Sequence, residues 1–183
     1  MSGKWVFVCG PSGAGKDSVL GWAANQMNAR ENIVFARRMV TRAAYPGSDH
    51  DVVTSQQFVH LQESGALAWH WEAHGFQYGI AAHYATEIAA GKVVVINGSR
   101  EHADRLDRTA QVRVVQIVAE SRLLADRLKQ RGRDAPAEVT WRLARNAQFE
   151  DLLADHTIVN QGELSTAGTQ LLDYLVESVP TAA

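Results

Sequence analysis

Apolar residues in this chain fall into short unbroken runs separated by stretches with helical spacing. Trp5-Val6-Phe7-Val8-Cys9 and Val93-Val94-Val95-Ile96 show no polar alternation, as expected of strands buried on both faces of a sheet. After the first run, Val19, Leu20, Ala23, Ala24 and Met27 recur at helical spacing and predict a helix over 16–29. The same reading predicts strands over 4–9, 33–40, 93–97, 112–118 and 156–160. It predicts helices over 81–90, 100–109, 121–130, 137–153 and 163–178. Alternation of this kind implies an α/β fold, a parallel sheet with helices on both faces.

The alternation breaks once. Residues 41–54 read as a loop around Pro46-Gly47-Ser48, 55–64 as a short helix, and 66–79 as strands around Gly75. We expect a small subdomain inserted at 41–80 within a single domain spanning 1–183. In a parallel sheet, ligands gather where strands end at their carboxyl sides. Those ends lie near Cys9, Val40, Asn97 and Val118. Thr41, Arg42 and the run Asn97-Gly98-Ser99-Arg100 follow two of them.

Composition narrows the class further. The 183 residues are 46% hydrophobic with a formal net charge of −2, which gives no footprint for nucleic acid. Lys16 and Asp17 interrupt the first apolar stretch before it could span a membrane, so a cytoplasmic protein without membrane partners is expected. The single cysteine, Cys9, allows no disulfide within the chain and reads as a small buried hydrophobe. Oligomeric state is not written in these features.

The first predicted strand leads into Gly10-Pro11-Ser12-Gly13-Ala14-Gly15-Lys16-Asp17-Ser18. This is a phosphate-binding P-loop: its glycines let backbone N–H groups close on phosphates, and its lysine neutralises the β and γ oxygens. The helix that follows points its N-terminus at the same anion. One position is irregular, since Asp17 stands where a hydroxyl usually serves Mg²⁺. In a loop built for anions this carboxylate must face a cation or turn away. Strand 93–97 ends in Asn97, where many P-loop enzymes carry an acidic residue on the metal side. Asp17 is therefore read as restoring that carboxylate from the P-loop side, the bland alternative being a residue that caps its helix.

A P-loop alone does not separate a switch from a motor or a kinase. Arg127, Lys129, Arg131 and Arg133 cluster where one helix ends, Gly132 and Pro136 punctuate the turn, and Arg142 and Arg145 follow. Such a segment, 131–138, suits a closing lid whose arginines stabilise a transferring phosphoryl group. Arg37 and Arg38 are consecutive on a predicted strand, so at most one faces a ligand. Of the aromatic pair Trp69 and Trp71, packing explains Trp71. His74 reads as structural, while His70 is left between acid–base and structural roles.

The order of the P-loop, Thr41-Arg42, Gly75-Phe76-Gln77-Tyr78-Gly79, Arg131-Gly132-Arg133 and Ile158-Val159-Asn160 resembles the guanylate kinase family along nearly the whole chain. Within it the chain more closely resembles the ribose 1,5-bisphosphate phosphokinase branch. Gly10–Ser18 with its Lys-Asp-Ser ending, Val93–Arg100 and Arg131–Arg133 carry that likeness. The resemblance implies ATP and Mg²⁺, a phosphorylated sugar as acceptor, and 5-phosphoribosyl 1-diphosphate as product, in phosphonate utilisation. It implies that Gly10, Pro11, Ser12, Gly13, Ala14, Gly15, Lys16, Asp17 and Ser18 hold ATP, with Arg133 and Asn160. Lys16, Arg131 and Arg142 would be catalytic, and Asp17 and Ser18 would serve the metal. Arg42, Tyr78, Trp69, His70, Asn97, Ser99 and Arg100 would line the acceptor side.

Departures from guanylate kinases point the same way. The Gly-Lys-Asp-Tyr run of that family is replaced by Asp49-His50-Asp51-Val52-Val53, Tyr45 stands at the second arginine of its phosphate motif, and Trp69 aligns with its guanine-reading glutamate. Losing that carboxylate would leave a base edge unpaired, at about 1–3 kcal/mol. A nucleoside monophosphate kinase is the alternative enzyme, and a non-catalytic guanylate-kinase-like interaction module the alternative of another class. Such modules lose ATP-binding residues, whereas Gly15, Lys16 and the arginine-rich segment are all present.

Overall fold

The computed structural model describes residues 2–27, 31–44, 48–130 and 152–180. In chain order the elements are β1 (Lys4–Cys9), α1 (Lys16–Gln26), β2 (Ile33–Phe35), β3 (Arg38–Val40), β4 (His50–Val52), α2 (Ser55–Glu63), β5 (Leu67–Ala73) and β6 (Phe76–Ala81). There follow α3 (Tyr84–Ala89), β7 (Val93–Asn97), α4 (Arg100–Asp104), β8 (Val112–Val118), α5 (Ser121–Gln130), β9 (His156–Val159) and α6 (Leu164–Ser178).

A five-stranded sheet has the order β2-β7-β1-β8-β9, and every pairing in it is parallel. Its apolar runs are sorted by parity, since successive side chains of a strand point to opposite faces. Val6, Val8, Val93, Val95, Val115 and Ile117 share one core with Val19, Leu20 and Ala23 of α1 and Leu171 and Leu175 of α6. Trp5, Phe7, Cys9, Val94, Ile96, Val112 and Val114 share the other with Ile88 of α3 and Ala103 of α4. Burial on both faces is the reason these strands carry no polar alternation. Cys9 is buried there with its thiol pKa pushed up to about 12, mainly by burial, which makes it inert as a nucleophile.

A second, four-stranded sheet has the order β4-β3-β6-β5, with β3 parallel to β4 and antiparallel to β6, and β5 antiparallel to β6. Val40, Trp71, Tyr78 and Ile80 from this sheet join the second core, so the two sheets share apolar surface. α2 enters through a capping box, Thr54 accepting from the Gln57 N–H while the Gln57 side chain accepts from the Thr54 N–H. Phe58 is its buried residue.

Residues 33–40 form two strands where the apolar pattern predicts one. The chain leaves the parallel sheet after Phe35 and joins the second sheet at Arg38, so that sheet occupies 38–81, wider than the expected 41–80. β4 lies within the predicted loop 41–54, drawn into the sheet beside β3. α3 and α4 are shorter than the predicted 81–90 and 100–109. The predicted helix 137–153 lies almost wholly outside the described residues, as does the predicted lid 131–138. Among the described residues no helix is long and apolar enough to cross a membrane.

Candidate active site

The carboxyl ends of β1, β7 and β8 meet where the chain order in the sheet reverses, the crevice in which α/β sheets bind ligands. The P-loop fills that crevice between β1 and α1. Gly10 runs hard against β8, and a Cβ there would fall 2.2 Å from the Ile117 carbonyl oxygen. Gly15 has a φ of +82°, and a Cβ on it would fall 2.5 Å from Asn160 Nδ2. The two motif glycines thus answer to different demands, one to close approach and the other to close approach plus a left-handed backbone.

Asn160, buried just past β9, donates from Nδ2 to the Ala14 carbonyl at 2.7 Å. Arg127 of α5 reaches the carbonyls of Gly13 and Ala14 at 3.5 Å each. Both side chains brace the loop from behind, and a loop held in shape loses less freedom when an anion enters. Arg127 belongs to the arginine-rich segment in sequence, and only the fold, with Leu124 of α5 seated in the core shared with α1, aims it at the P-loop.

Lys16 opens α1 beside Asn97 at the end of β7. Its Nζ donates to Asn97 Oδ1 at 2.5 Å and lies 3.6 Å from Asp17 Oδ1, while Asn97 Nδ2 donates to the same Asp17 oxygen at 2.8 Å. Only this orientation of the amide satisfies both neighbours. An aspartate at 97 would face the Asp17 carboxylate across that short gap, and like charges so close do not both ionise. Asp17 and Asn97 are therefore a matched pair, with the negative charge moved from the strand end to the loop. Burial lowers the Lys16 pKa, Asp17 opposes the shift, and the Arg38 charge adds to it.

Of the two consecutive arginines, Arg37 turns outward. Its Nε donates to Asp51 at 2.6 Å, Nη1 to Asp49 at 2.8 Å and Nη2 to the His50 carbonyl at 3.2 Å. Arg38 turns inward, its guanidinium 5.9 Å from the Tyr78 ring centre. Burial lowers its pKa, with Asp17 and Tyr78 opposing and Arg42 adding to the shift. Arg42 stands beside it with its guanidinium 5.8 Å from the Phe76 ring centre. Arg38 is the residue that sequence reasoning left unassigned, because a strand pattern says that one of the pair faces inward without saying which.

Tyr78 is buried and stacked on Trp71, with ring centres 5.4 Å apart, and Trp71 stacks in turn on His102 at 4.8 Å. Trp69 packs edge-on against Phe7 at 5.1 Å and Trp5 at 5.8 Å. It fills the joint between the two sheets. Among the described residues, Trp69 Nε1 and His102 Nδ1 are buried there without hydrogen-bond partners. Burial above all, with His70 and Arg105 adding, lowers the His102 pKa to about 4, so this ring is neutral near pH 7. His70 lies on the exposed face of β5, where its Nδ1 meets Gln62 of α2 at 3.1 Å. Ser99 caps α4, accepting from the His102 N–H at 3.1 Å, and Arg100 opens that helix. Asp17 and Ser18 are exposed at the head of α1. Arg131, Arg133 and Arg142 lie outside the described residues.

Lys16, Asp17, Asn97, Arg38, Arg42 and Tyr78 thus gather at one crevice, with Asn160 behind the loop. His70 is directed away from that group, and Trp69 belongs to its apolar support.

No family model matches the chain. It is 38% identical over 176 residues to the ribose 1,5-bisphosphate phosphokinase PhnN of Agrobacterium fabrum, covering 94% of this chain and 96% of the relative. Against the protein of the same name from Pseudofrankia inefficax it is 39% identical over 177 residues, covering 96% and 92%. Against that of Burkholderia mallei it is 40% identical over 175 residues, covering 94% and 95%. Among solved structures it is similar to guanylate kinase from Anaplasma phagocytophilum, with a TM-score of 0.72 and 20% identity over 98% of this chain and 88% of that one. That likeness is one of fold, a P-loop kinase. With identity at this level over nearly the full length of several relatives, the chain belongs to the ribose 1,5-bisphosphate phosphokinase family.

Proposed function

We propose that the protein transfers the γ-phosphoryl group of ATP to the 1-phosphate of ribose 1,5-bisphosphate, releasing ADP and 5-phosphoribosyl 1-diphosphate. The observation that carries this reading is the pairing of an intact, braced P-loop with an inward-facing set of arginines and no base-reading carboxylate at Trp69. Family membership makes ribose 1,5-bisphosphate the first acceptor to try.

The P-loop and Lys16 hold the triphosphate, and Arg42 with Tyr78 receives the acceptor beside it. An oxygen of the acceptor phosphate attacks the γ-phosphorus, and the bond from that phosphorus to the bridging oxygen of ADP breaks. A phosphate oxygen is already anionic near neutral pH, so no strong general base is required. Positioning and charge neutralisation carry most of the catalysis. Arg131 and Arg142 are proposed to add positive charge from a lid, with Arg133 and Asn160 on the nucleotide side.

Asp17 and Ser18 are the residues that would hold Mg²⁺, which neutralises the β- and γ-phosphates when bound. Asp17 fits the task because it is exposed and one of its oxygens is already oriented by the Asn97 amide. Among the described residues, no cluster of three or more His, Cys, Asp or Glu could hold a metal. That suits an ion held by one or two protein groups together with substrate phosphates.

The test is ADP release from ATP and Mg²⁺ with ribose 1,5-bisphosphate, ribose 5-phosphate and GMP in parallel, with the product identified by phosphorus NMR. The bisphosphate should turn over and yield a diphosphate resonance. Turnover of GMP in its place would overturn the reading.

A further inference from the structure

We propose that Arg38 is a second phosphate anchor of the acceptor site, and that Arg38 and Arg42 each grip one phosphate of a doubly phosphorylated sugar. This deepens the phosphotransfer reading above and rests on it.

The Arg38 side chain reaches over the Tyr78 ring. Among the described residues it makes no hydrogen bond or ion pair, while the exposed Arg37 next to it takes both nearby carboxylates, Asp49 and Asp51. A guanidinium offers five donors and cannot shed its charge. Half-buried, it calls for an anion. The fold has spent Asp49 and Asp51 on the outward arginine, and the inward one feels Asp17 across the crevice without bonding to it.

Arg38 pairs with Ile80 across β3 and β6, and Val40 pairs with Tyr78, so Arg38 opens the strand that leads to Arg42. Four residues of extended chain separate their Cα atoms by at most about 13 Å. Two long side chains rooted that far apart can close on the ends of a pentose. Each rests on its own ring, Arg38 on Tyr78 and Arg42 on Phe76. Separate aromatic backing fixes them as two anchors and not as one fork.

Arg38 feels the charges of both Lys16 and Arg42, while Asp17, and more weakly Asp49, act on it with the opposite sign. The triphosphate claims Lys16 and the P-loop amides. Arg38 and Arg42 bring two positive charges to the acceptor side, one for each phosphate of a bisphosphate.

The test compares wild type with Arg38→Met and Arg42→Met, since methionine keeps an apolar stem against the ring. Calorimetry measures the binding of ribose 1,5-bisphosphate, ribose 1-phosphate and ribose 5-phosphate, and steady-state kinetics gives KM for ATP. Arg38→Met should weaken the bisphosphate and one monophosphate by roughly 30-fold or more. The other monophosphate and the KM for ATP should stay within about threefold of wild type. Arg42→Met should show the mirror pattern, losing the other monophosphate. Arg38→Lys should recover part of the loss. Equal loss of both monophosphates in Arg38→Met, or a change confined to ATP, would overturn the assignment. Wild type that binds the bisphosphate without turning it over would instead sink the phosphotransfer reading and leave the anchor assignment standing on the binding data.

Discussion

The two halves of the crevice are built by opposite means. On the nucleotide side, short residues and backbone do the shaping: Gly10 pressed on β8, Gly15 in a left-handed turn, and Asn160 holding a loop carbonyl. On the side we propose for the acceptor, long side chains do it, Arg38 and Arg42 leaning on Tyr78 and Phe76 over a stack of Trp71 and His102. A backbone cradle recognises what all its ligands share, a polyphosphate. Side-chain anchors recognise what distinguishes one ligand from another, and they can be exchanged without disturbing the sheet that carries them.

The sharpest break of this contrast is Lys16→Ala. It should lower turnover by about 10³-fold or more with any acceptor, because it removes charge neutralisation common to all of them. Steady-state ADP release with each acceptor checks it, and an effect confined to one acceptor would move Lys16 to the other half of the comparison.

Next in size is the pair at the meeting point of the halves. Asn97→Asp sets a second carboxylate against Asp17 and should cost roughly 100-fold in kcat, while Asp17→Ser should weaken the Mg²⁺ dependence by roughly tenfold. The double exchange Asp17→Ser/Asn97→Asp should recover to within about tenfold of wild type, the two changes being strongly non-additive. Titration of activity against Mg²⁺ for all four proteins is the measurement.

Gly15→Ala tests the backbone half by itself. It forces a Cβ onto Asn160 Nδ2 at 2.5 Å and a side chain onto a φ of +82°, for a loss of about 1–3 kcal/mol in stability. ATP binding should fall with it, by calorimetry, while binding of the bisphosphate alone changes by less than about threefold.

The smallest effect lies under the acceptor half. With the His102 pKa lowered from 6.5 to about 4 by burial, the unfolded chain takes up a proton here that the folded protein refuses. Stability is intact above pH 6.5 and declines as the pH falls toward 4. Solvent at the exposed edge of the ring holds this to about 1–2 kcal/mol. His102→Phe keeps the stack on Trp71 and removes the orphaned Nδ1, so its melting temperature should drop less between pH 7 and pH 5 than that of wild type.

The parallel sheet and the P-loop were legible in the sequence for a physical reason. Strands buried on both faces must be apolar throughout, and a loop that wraps phosphate tolerates few residues at fixed spacing. The acceptor sheet was not. Ile33–Val40 reads as one strand because residues 36 and 37 carry no turn signal, yet the chain changes sheets there, with the Arg37 N–H taken by the Tyr84 hydroxyl at 2.9 Å. β4, with Asp49 just before it and Asp51 within it, resembles a loop until Arg37 neutralises those carboxylates. Arg38 and His102 acquire their roles only from neighbours distant in sequence. For the same reason Trp69, which aligns with a ligand-reading position, is found packed on Trp5 and Phe7.

The Asn97 amide, bonded to Lys16 on one side and Asp17 on the other, also constrains how such a chain can change over generations. The usual arrangement, with a hydroxyl in the loop and a carboxylate at the strand end, lies two substitutions away. Taken in one order the path passes through two facing carboxylates; in the other it passes through none. With each intermediate expected to lose activity, the two arrangements would stand on separate fitness peaks, and a lineage that holds one would tend to keep it.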